Sequence, residues 1–341
     1  MVLSGSLLHD VGMSLDVTGV PTWDAMSREQ RLRRDEVVAR VAALLPRAAS
    51  VVVCGDRLTA PVAGHLAARL RTATCRDARA IRATAGPVPG AGSGVVVRLR
   101  TRATMDGPDA EDRCDLVIDV HDPFWPVIHH VSPVLAGPDA WYVAESRAFF
   151  APRAATWDSR FGDDMPAYAA AVAESGIPRG ATAADIGCGT GRALPALRDA
   201  VGPAGTVIGV DITPQMLGAA QAAGRARDAA LILADARNPP FADATLDAVF
   251  AAGLITHLPD PSAGLAELAR VTRAGGRLTL FHPSGRRALA HRHGRPLRPD
   301  DPLSEPRLAH LMTTAGWRLE TYDDPGHRFL AIATRLPSPP P

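Results

Sequence analysis

The sequence predicts an α/β protein built on a doubly wound, mostly parallel sheet, and three observations carry that reading. An apolar run from Ala181 to Ile186 breaks into the alternate glycines Gly187, Gly189 and Gly191, then resumes as Ala193-Leu194-Pro195-Ala196-Leu197. This order reads as buried strand, tight turn and helix. Further strand-like runs follow at Thr206 to Val210, Ala230 to Ala234, Leu246 to Phe250 and Arg277 to Phe281, each set off by a stretch long enough for a helix. Strands alternating with helices predict parallel pairing. Trp317 to Tyr322 and Arg328 to Thr334 flank Asp323-Asp324-Pro325-Gly326 and predict a closing antiparallel hairpin, after a helix from Pro306 to Ala315.

The glycine turn is the element with chemistry in it. Its backbone lets a ligand come close, and the helix that follows presents unpaired N–H groups, the combination that receives a nucleotide. Asp185, just before the turn, is placed to hold a cation or a hydroxyl. The spacing is G-x-G-x-G, one residue shorter than the dinucleotide pattern G-x-G-x-x-G. Asp211 ends the next strand about 20 residues past the last glycine, where an acid can accept both ribose hydroxyls. Asp235, followed by Ala236, ends the third strand, and the fourth runs into Ala251-Ala252-Gly253-Leu254-Ile255-Thr256-His257-Leu258.

This series resembles the class I S-adenosylmethionine-dependent methyltransferases, in particular the small-molecule group whose nucleotide loop reads D-x-G-C-G-T-G. The resemblance runs from about Ala144 to Leu336. It implies a Rossmann-like seven-stranded sheet with a C-terminal antiparallel hairpin, and S-adenosylmethionine as cofactor. Gly187, Cys188, Gly189 and Gly191 would hold the amino acid end of that cofactor and Asp211 its ribose, with Ile212 and Met216 on the adenine face. Asp235 would accept from the adenine amino group, Ala236 would offer its N–H to the ring, and Ala252 would complete the cofactor set.

Composition bounds the rest. A length of 341 residues predicts two domains. A hydrophobic content of 46%, a charged content of 21% and a net charge of +1 describe an ordinary globular chain with no field to recruit nucleic acid or membrane. All 37 basic residues are arginine, which excludes Schiff-base chemistry, pyridoxal phosphate attachment and a phosphate-loop lysine. Cys54, Cys75, Cys114 and Cys188 have neither C-x-x-C pairing nor metal spacing, so a reduced cytoplasmic protein without a metal site is expected. Cys188 reads as a small side chain packed under the glycine turn. No signal peptide and no membrane-length apolar run is read.

Residues 1–25 read as a leader and residues 26–138 as an N-terminal α/β domain. Ser27 and Gln30 form a capping-box pattern before a helix from Arg31 to Leu45, ended by Pro46. A strand from Ala49 to Cys54, a turn and a helix from Val62 to Leu70 faintly resemble the opening of a nucleoside-kinase-like P-loop unit, but G-K-[ST] is missing, so a decayed or unrelated unit is expected. Pro87 to Gly94 reads as a turn, and Val95 to Leu99 and Leu116 to Val120 as strands. His121, Asp122 and His129 suggest a metal site only weakly, since no H-x-H or H-x-x-x-H spacing is present around them. Pro133 to Pro138 reads as a linker, residues 139–336 as the methyltransferase domain, and 337–341 as a tail.

In the second domain, Phe150, Trp157 and Phe161 are either rings of a lid that walls the acceptor pocket, as the resemblance implies, or core aromatics. A helix from Met165 to Ser175 follows them. Asn238-Pro239-Pro240-Phe241 matches the catalytic tetrapeptide of amino-group methyltransferases, yet it follows the third strand and not the fourth, so a packed turn is expected. His257 is either a general base for the acceptor or a loop-orienting residue. His282 and Arg286 open an arginine-rich segment able to contact an acceptor carboxylate or phosphate, with a solvated loop as the alternative.

The expected activity is therefore methyl transfer by in-line displacement to a small-molecule acceptor at O, N or C. The N-terminal domain would serve a homodimer or pocket closure. A cofactor-binding regulatory protein without transfer is the alternative, and a nicotinamide oxidoreductase is disfavoured by the glycine spacing.

Overall fold

The computed structural model describes residues 26–46, 50–55, 60–73, 80–85, 94–100, 114–132, 135, 140–292, 297 and 301–337. These fall into two compact units, divided between Trp141 and Tyr142.

In the N-terminal unit, α1 (Arg28–Leu44) precedes β1 (Ser50–Gly55), α2 (Ala60–Ala73), β2 (Ala80–Ala85), β3 (Val95–Arg100), β4 (Leu116–Asp119) and β5 (Val127–Val131). The Ser27 hydroxyl accepts the Gln30 amide at 3.1 Å and the Gln30 side chain returns to the Ser27 amide at 2.7 Å. This reciprocal cap starts α1 three residues before the position read from its apolar pattern. The sheet order is β2-β1-β3-β4-β5, parallel except for β4 with β5. Val51, Val53, Val97, Leu99 and Ile118 pack with Val37 and Val41 of α1 and Leu66 and Leu70 of α2. Two strands, β2 and β5, were not expected, and β5 carries His129 and His130. The leader, the turn at 56–59 and most of the linker lie outside the described residues.

The C-terminal unit takes up α3 (Ala140–Phe150), a 3₁₀ turn (Ala151–Thr156), α4 (Trp157–Phe161) and α5 (Met165–Glu174) before the sheet begins. The sheet elements are β6 (Thr182–Ile186), α6 (Leu194–Val201), β7 (Thr206–Asp211), α7 (Pro214–Ala222), β8 (Ala230–Leu233), β9 (Leu246–Ala252), α8 (Pro261–Val271) and β10 (Thr272–His282). Then come α9 (Arg286–Arg292), α10 (Glu305–Thr314), β11 (Trp317–Asp323) and β12 (Phe329–Arg335). The order is β11-β12-β10-β9-β6-β7-β8, with β12 antiparallel to β10 and β11 and the other pairs parallel. The expected seven-stranded sheet with its terminal hairpin is present.

The central strand β6 has β7 on one side and β9 on the other, so chain connections leave it in opposite directions. A crevice opens outside the carboxyl ends of the strands at such a point. Ala183 and Ala184 keep β6 thin, while Phe250 and Phe281 fill the core beside it and stack with Tyr168. Asp247 at the start of β9 accepts the Thr182 amide at 2.7 Å and pairs with Arg273, a structural role. The Asn238–Phe241 stretch is a turn whose Pro239 and Phe241 carbonyls accept from Arg270, in keeping with packing rather than catalysis.

Candidate functional site

At the carboxyl edge of β6 the chain turns through Gly187, Gly189 and Gly191 at φ of 78°, 54° and 77°. These left-handed torsions are costly for residues with a Cβ. A Cβ on Gly187 would lie 3.1 Å from Leu254 Cδ1, whereas one on Gly189 would meet nothing within 4 Å. The space above Gly189 is open. Cys188 is buried beneath the turn, 3.1 Å from where a Gly209 Cβ would stand, and burial pushes its thiol up. It packs and does not react.

Asp185 is the last residue but one of β6, at 2% exposure, and its Oδ1 has no hydrogen-bond partner. Burial, assisted by the charge of Asp211, pushes its carboxyl up to about 8. A buried oxygen without a donor costs about 1–3 kcal/mol, so the position suits an incoming cation or N–H donor. Asp211 ends β7 and accepts the Gly189 amide at 2.9 Å through Oδ2 and the Thr213 amide at 2.8 Å through Oδ1. Burial raises its pKa and these amides oppose the rise. A carboxylate held in this way at the end of β7 can also accept from ribose hydroxyls. The residues therefore fit an adenosyl sulfonium with an ammonium end: an orphaned acid for the ammonium, an open glycine for the backbone approach and a fixed acid for the ribose.

The remaining cofactor candidates line the same edge. Ile212 follows Asp211, and its carbonyl accepts Arg147 Nε at 2.8 Å. Met216 is buried on α7, and Ala236 and Ala252 are half-buried after β8 and at the end of β9. Asp235 is gripped by Arg237, whose Nη2 lies 2.7 Å from Oδ2.

The segment before the sheet reaches these loops one after another. Arg147 of α3 holds Ile212, and Asp158 of α4 accepts from Thr190 at 3.1 Å and Arg192 at 3.0 Å and pairs with Arg225 at 2.7 Å. Burial would raise the Asp158 pKa, but its hydrogen bonds from Arg192 and Arg225 hold it below the usual carboxylate range. Phe150 stands 5.8 Å from Trp157 and 5.2 Å from the His257 ring, and Phe149 lies 6.2 Å from that imidazole. Phe150, Trp157 and His257 are thus brought together, with His257 itself exposed. The side chain of Phe161 lies outside the described part of the structure.

His282 and Arg286 border a cavity of ≈ 40 Å³ at the carboxyl ends of β9 and β10, lined also by Gly253, Leu254, Phe281 and Phe329. Burial, against the hydrogen bond with Ser284 and with help from Arg292, lowers the pKa of His282 and keeps it neutral at pH 7. Arg286 departs from the reading as an acceptor contact. Its guanidinium is spent on Asp301 at 3.0 Å, Asp324 at 3.3 Å and the Tyr322 hydroxyl at 3.0 Å, so it shapes the cavity wall. Arg295 and Arg298 of the same segment lie outside the described residues.

In the N-terminal unit His121 pairs with Asp119, Asp122 caps the Phe124 amide at 2.9 Å, and His129 is exposed on β5. Among the described residues no group of three or more His, Cys, Asp or Glu could hold a metal ion, and no helix is long and apolar enough to cross a membrane. Sequence reasoning missed Tyr142, Arg147, Asp158, Arg192 and Arg237. Their partners lie mostly far along the chain, and no local spacing announces them.

Residues 184–280 match the family model described as a methyltransferase domain. A demethylmenaquinone methyltransferase of Bacillus licheniformis is 37% identical over 109 residues, 32% of this chain and 47% of the relative. Nocamycin O-methyltransferase of Saccharothrix syringae is 36% identical over 102 residues, 29% of this chain and 36% of the relative. The chain spans less than half the length of these curated relatives. The crystal structure of magnesium protoporphyrin IX methyltransferase from Synechocystis with bound SAH is 17% identical, covering 57% of this chain and 99% of that one at a TM-score of 0.45. Residues 184–280 of this chain therefore form a methyltransferase domain.

Proposed function

We propose that the protein transfers a methyl group from S-adenosylmethionine to a small-molecule acceptor, at O, N or C, in secondary metabolism. The observation that carries the reading is the pairing of an orphaned, buried Asp185 with Asp211 around the open face of Gly189. The cofactor supplies a methyl already activated on sulfonium, so the protein's part is positioning and exclusion of water. Asp185 takes the ammonium end, the amides around Gly187, Gly189 and Gly191 take the carboxylate, and Asp211 takes the ribose hydroxyls. Ile212 and Met216 flank the adenine, Asp235 and Ala236 read its edge, and Ala252 closes the far side. Phe150 and Trp157 wall the acceptor, His257 is placed to take its proton, and His282 offers a neutral nitrogen beside the small apolar cavity.

Calorimetric titration of the purified protein with S-adenosylmethionine, NADH and ATP tests this. Binding of the methyl donor alone, lost in Asp211→Ala, is expected; no binding of the methyl donor overturns it. A second reading, cofactor binding without transfer, draws on Phe149 and Phe150, whose rings crowd the His257 imidazole. Tight binding with no labelled methyl passed to any of a panel of phenols, amines and enols would favour that reading.

A further inference from the structure

A second cavity, of ≈ 210 Å³, lies between α6 and the loop that joins α7 to β8. One water needs only about 10–15 Å³ of such space, so a small polyatomic ligand has room here. The charged lining is Arg198, Arg225 and Arg227 with Asp199 and Asp228. Both acids are exposed, and among the described residues neither pairs with an arginine of the cavity.

The guanidinium groups keep donors to spare. Arg198 donates through Nη2 alone, to the Gly202 and Gly205 carbonyls. Arg225 donates through Nη1 alone, to the Thr190 carbonyl at 3.1 Å and hydroxyl at 3.3 Å, and the same nitrogen pairs with Asp158 at 2.7 Å. Among the described residues nothing accepts from Nε or Nη1 of Arg198, from Nε or Nη2 of Arg225, or from any nitrogen of Arg227. Arg225 and Arg227 thus each retain a whole fork, the shape that takes a carboxylate bidentately. Leu194, Pro195 and Ala229 complete the wall and suit the methylenes between two such carboxylates.

Arg225 also ties the cavity to the glycine turn. Its Cβ lies 3.5 Å from where a Gly191 Cβ would stand, and its Nη1 reaches Asp158 of α4. The geometry points to a binding site for a small dicarboxylate, one carboxylate on the Arg225 fork and one on Arg227, whose occupancy tightens the hold of Arg225 on Asp158. A guanidinium fixed at one nitrogen still swings on a long side chain, and a ligand on its other edge removes that freedom. The ligand does not compete for Nη1. Its repulsion of Asp158 acts across the intervening cation and is weakened by solvent, since the Asp158 side chain is 42% exposed. Three arginines against two acids leave the lining with a small positive excess, which suits a dianion and disfavours the higher charge of a nucleoside triphosphate. The site is independent of what the crevice at the glycine turn binds.

Calorimetry of the full chain at fixed ionic strength, with succinate, acetate and inorganic phosphate as probes, tests the site. One succinate per chain is expected, at least about tenfold tighter than acetate, which fills a single fork. Arg227→Ala, at an exposed position that holds nothing else, should weaken succinate about tenfold, and Asp228→Asn, which removes a repelling charge, should strengthen it about threefold. Opposite signs at neighbouring exposed positions are not imitated by misfolding. Succinate should also slow hydrogen exchange at amides 157–164 by at least about threefold in the wild type, and leave it unchanged in Asp158→Asn, which still binds succinate. No succinate binding, phosphate bound more tightly than succinate, or equal binding by the wild type and Arg227→Ala overturns the site. Succinate binding with exchange at 157–164 unchanged or faster in the wild type overturns the tie to Asp158.

Discussion

Arg192 Nη2 donates to Asp158 Oδ1 at 3.0 Å, tying helix α4 to the end of the glycine turn across 34 residues of chain. The arginine is almost wholly buried and the aspartate is 42% exposed along its side chain, so the pair is screened at one end only. Loss of a partner from a buried cation is strongly destabilising, and the exposed end discounts that to about 1–3 kcal/mol. Asp158→Ala should therefore loosen residues 142–164 from the sheet. Hydrogen exchange is expected to rise at these amides by at least about tenfold, with little change in β6 and β9. Equal change everywhere would mean that the pair only adds to global stability.

A second expectation concerns pH. Burial pushes Asp185 up to about 8, against an ordinary carboxylate value near 4 in the unfolded chain. Between about pH 4 and pH 8 the folded state keeps a proton that the unfolded state has lost. Stability contributed by this group is thus present below about pH 4, falls as pH rises through the window and is flat above about pH 8. Asp185→Asn mimics the neutral acid and removes the slope. In thermal unfolding of the ligand-free protein the variant should match the wild type at pH 4.5 and exceed it at pH 8 by several degrees, of order 5 °C. A variant less stable than the wild type at pH 8 would refute the assignment.

A third follows from the open face of the turn. Gly189→Ala places a methyl where nothing stands within 4 Å, at a φ of 54°. The conformational cost is about 1–2 kcal/mol and the clash cost is nil in the free protein. The same methyl projects into the space assigned to the cofactor. The expected outcome is a modest fall in melting temperature and a loss of S-adenosylhomocysteine binding of at least about a hundredfold, from one displaced backbone hydrogen bond and a steric overlap. Retained binding would move the cofactor away from this turn.

Much of the C-terminal sheet was legible because its signals are local. The Asp185–Gly191 stretch, the acids at the ends of β7 and β8 and the closing hairpin each lie within a few residues of the element that uses them. The strands β2, Ala-Ile-Arg-Ala-Thr-Ala, and β5, Val-Ile-His-His-Val, were missed because their apolar residues are few and interrupted by polar ones. In the site, the acid positions could be read, but not what holds them. Arg147 with Ile212, Arg192 with Asp158 and Tyr142 with Arg237 are long-range pairs, and a chain rich in arginine supplies no clue to which cation meets which acid. Arg286 illustrates the converse, since its cluster suggested a ligand and the fold instead supplies Asp301, Asp324 and Tyr322.

The segment before the sheet is fastened by Arg192 and Arg225 on Asp158. No lysine occurs anywhere in the chain, so no fastening here can be undone by alkali near neutrality. Dissolved salt works differently, because at molar concentration it screens exposed charges over only about 3 Å. Asp158 is the exposed half of the latch. Dissolved salt thus weakens the Asp158 end of the grip, while the pair of Arg192 with the largely buried Asp164 is screened much less.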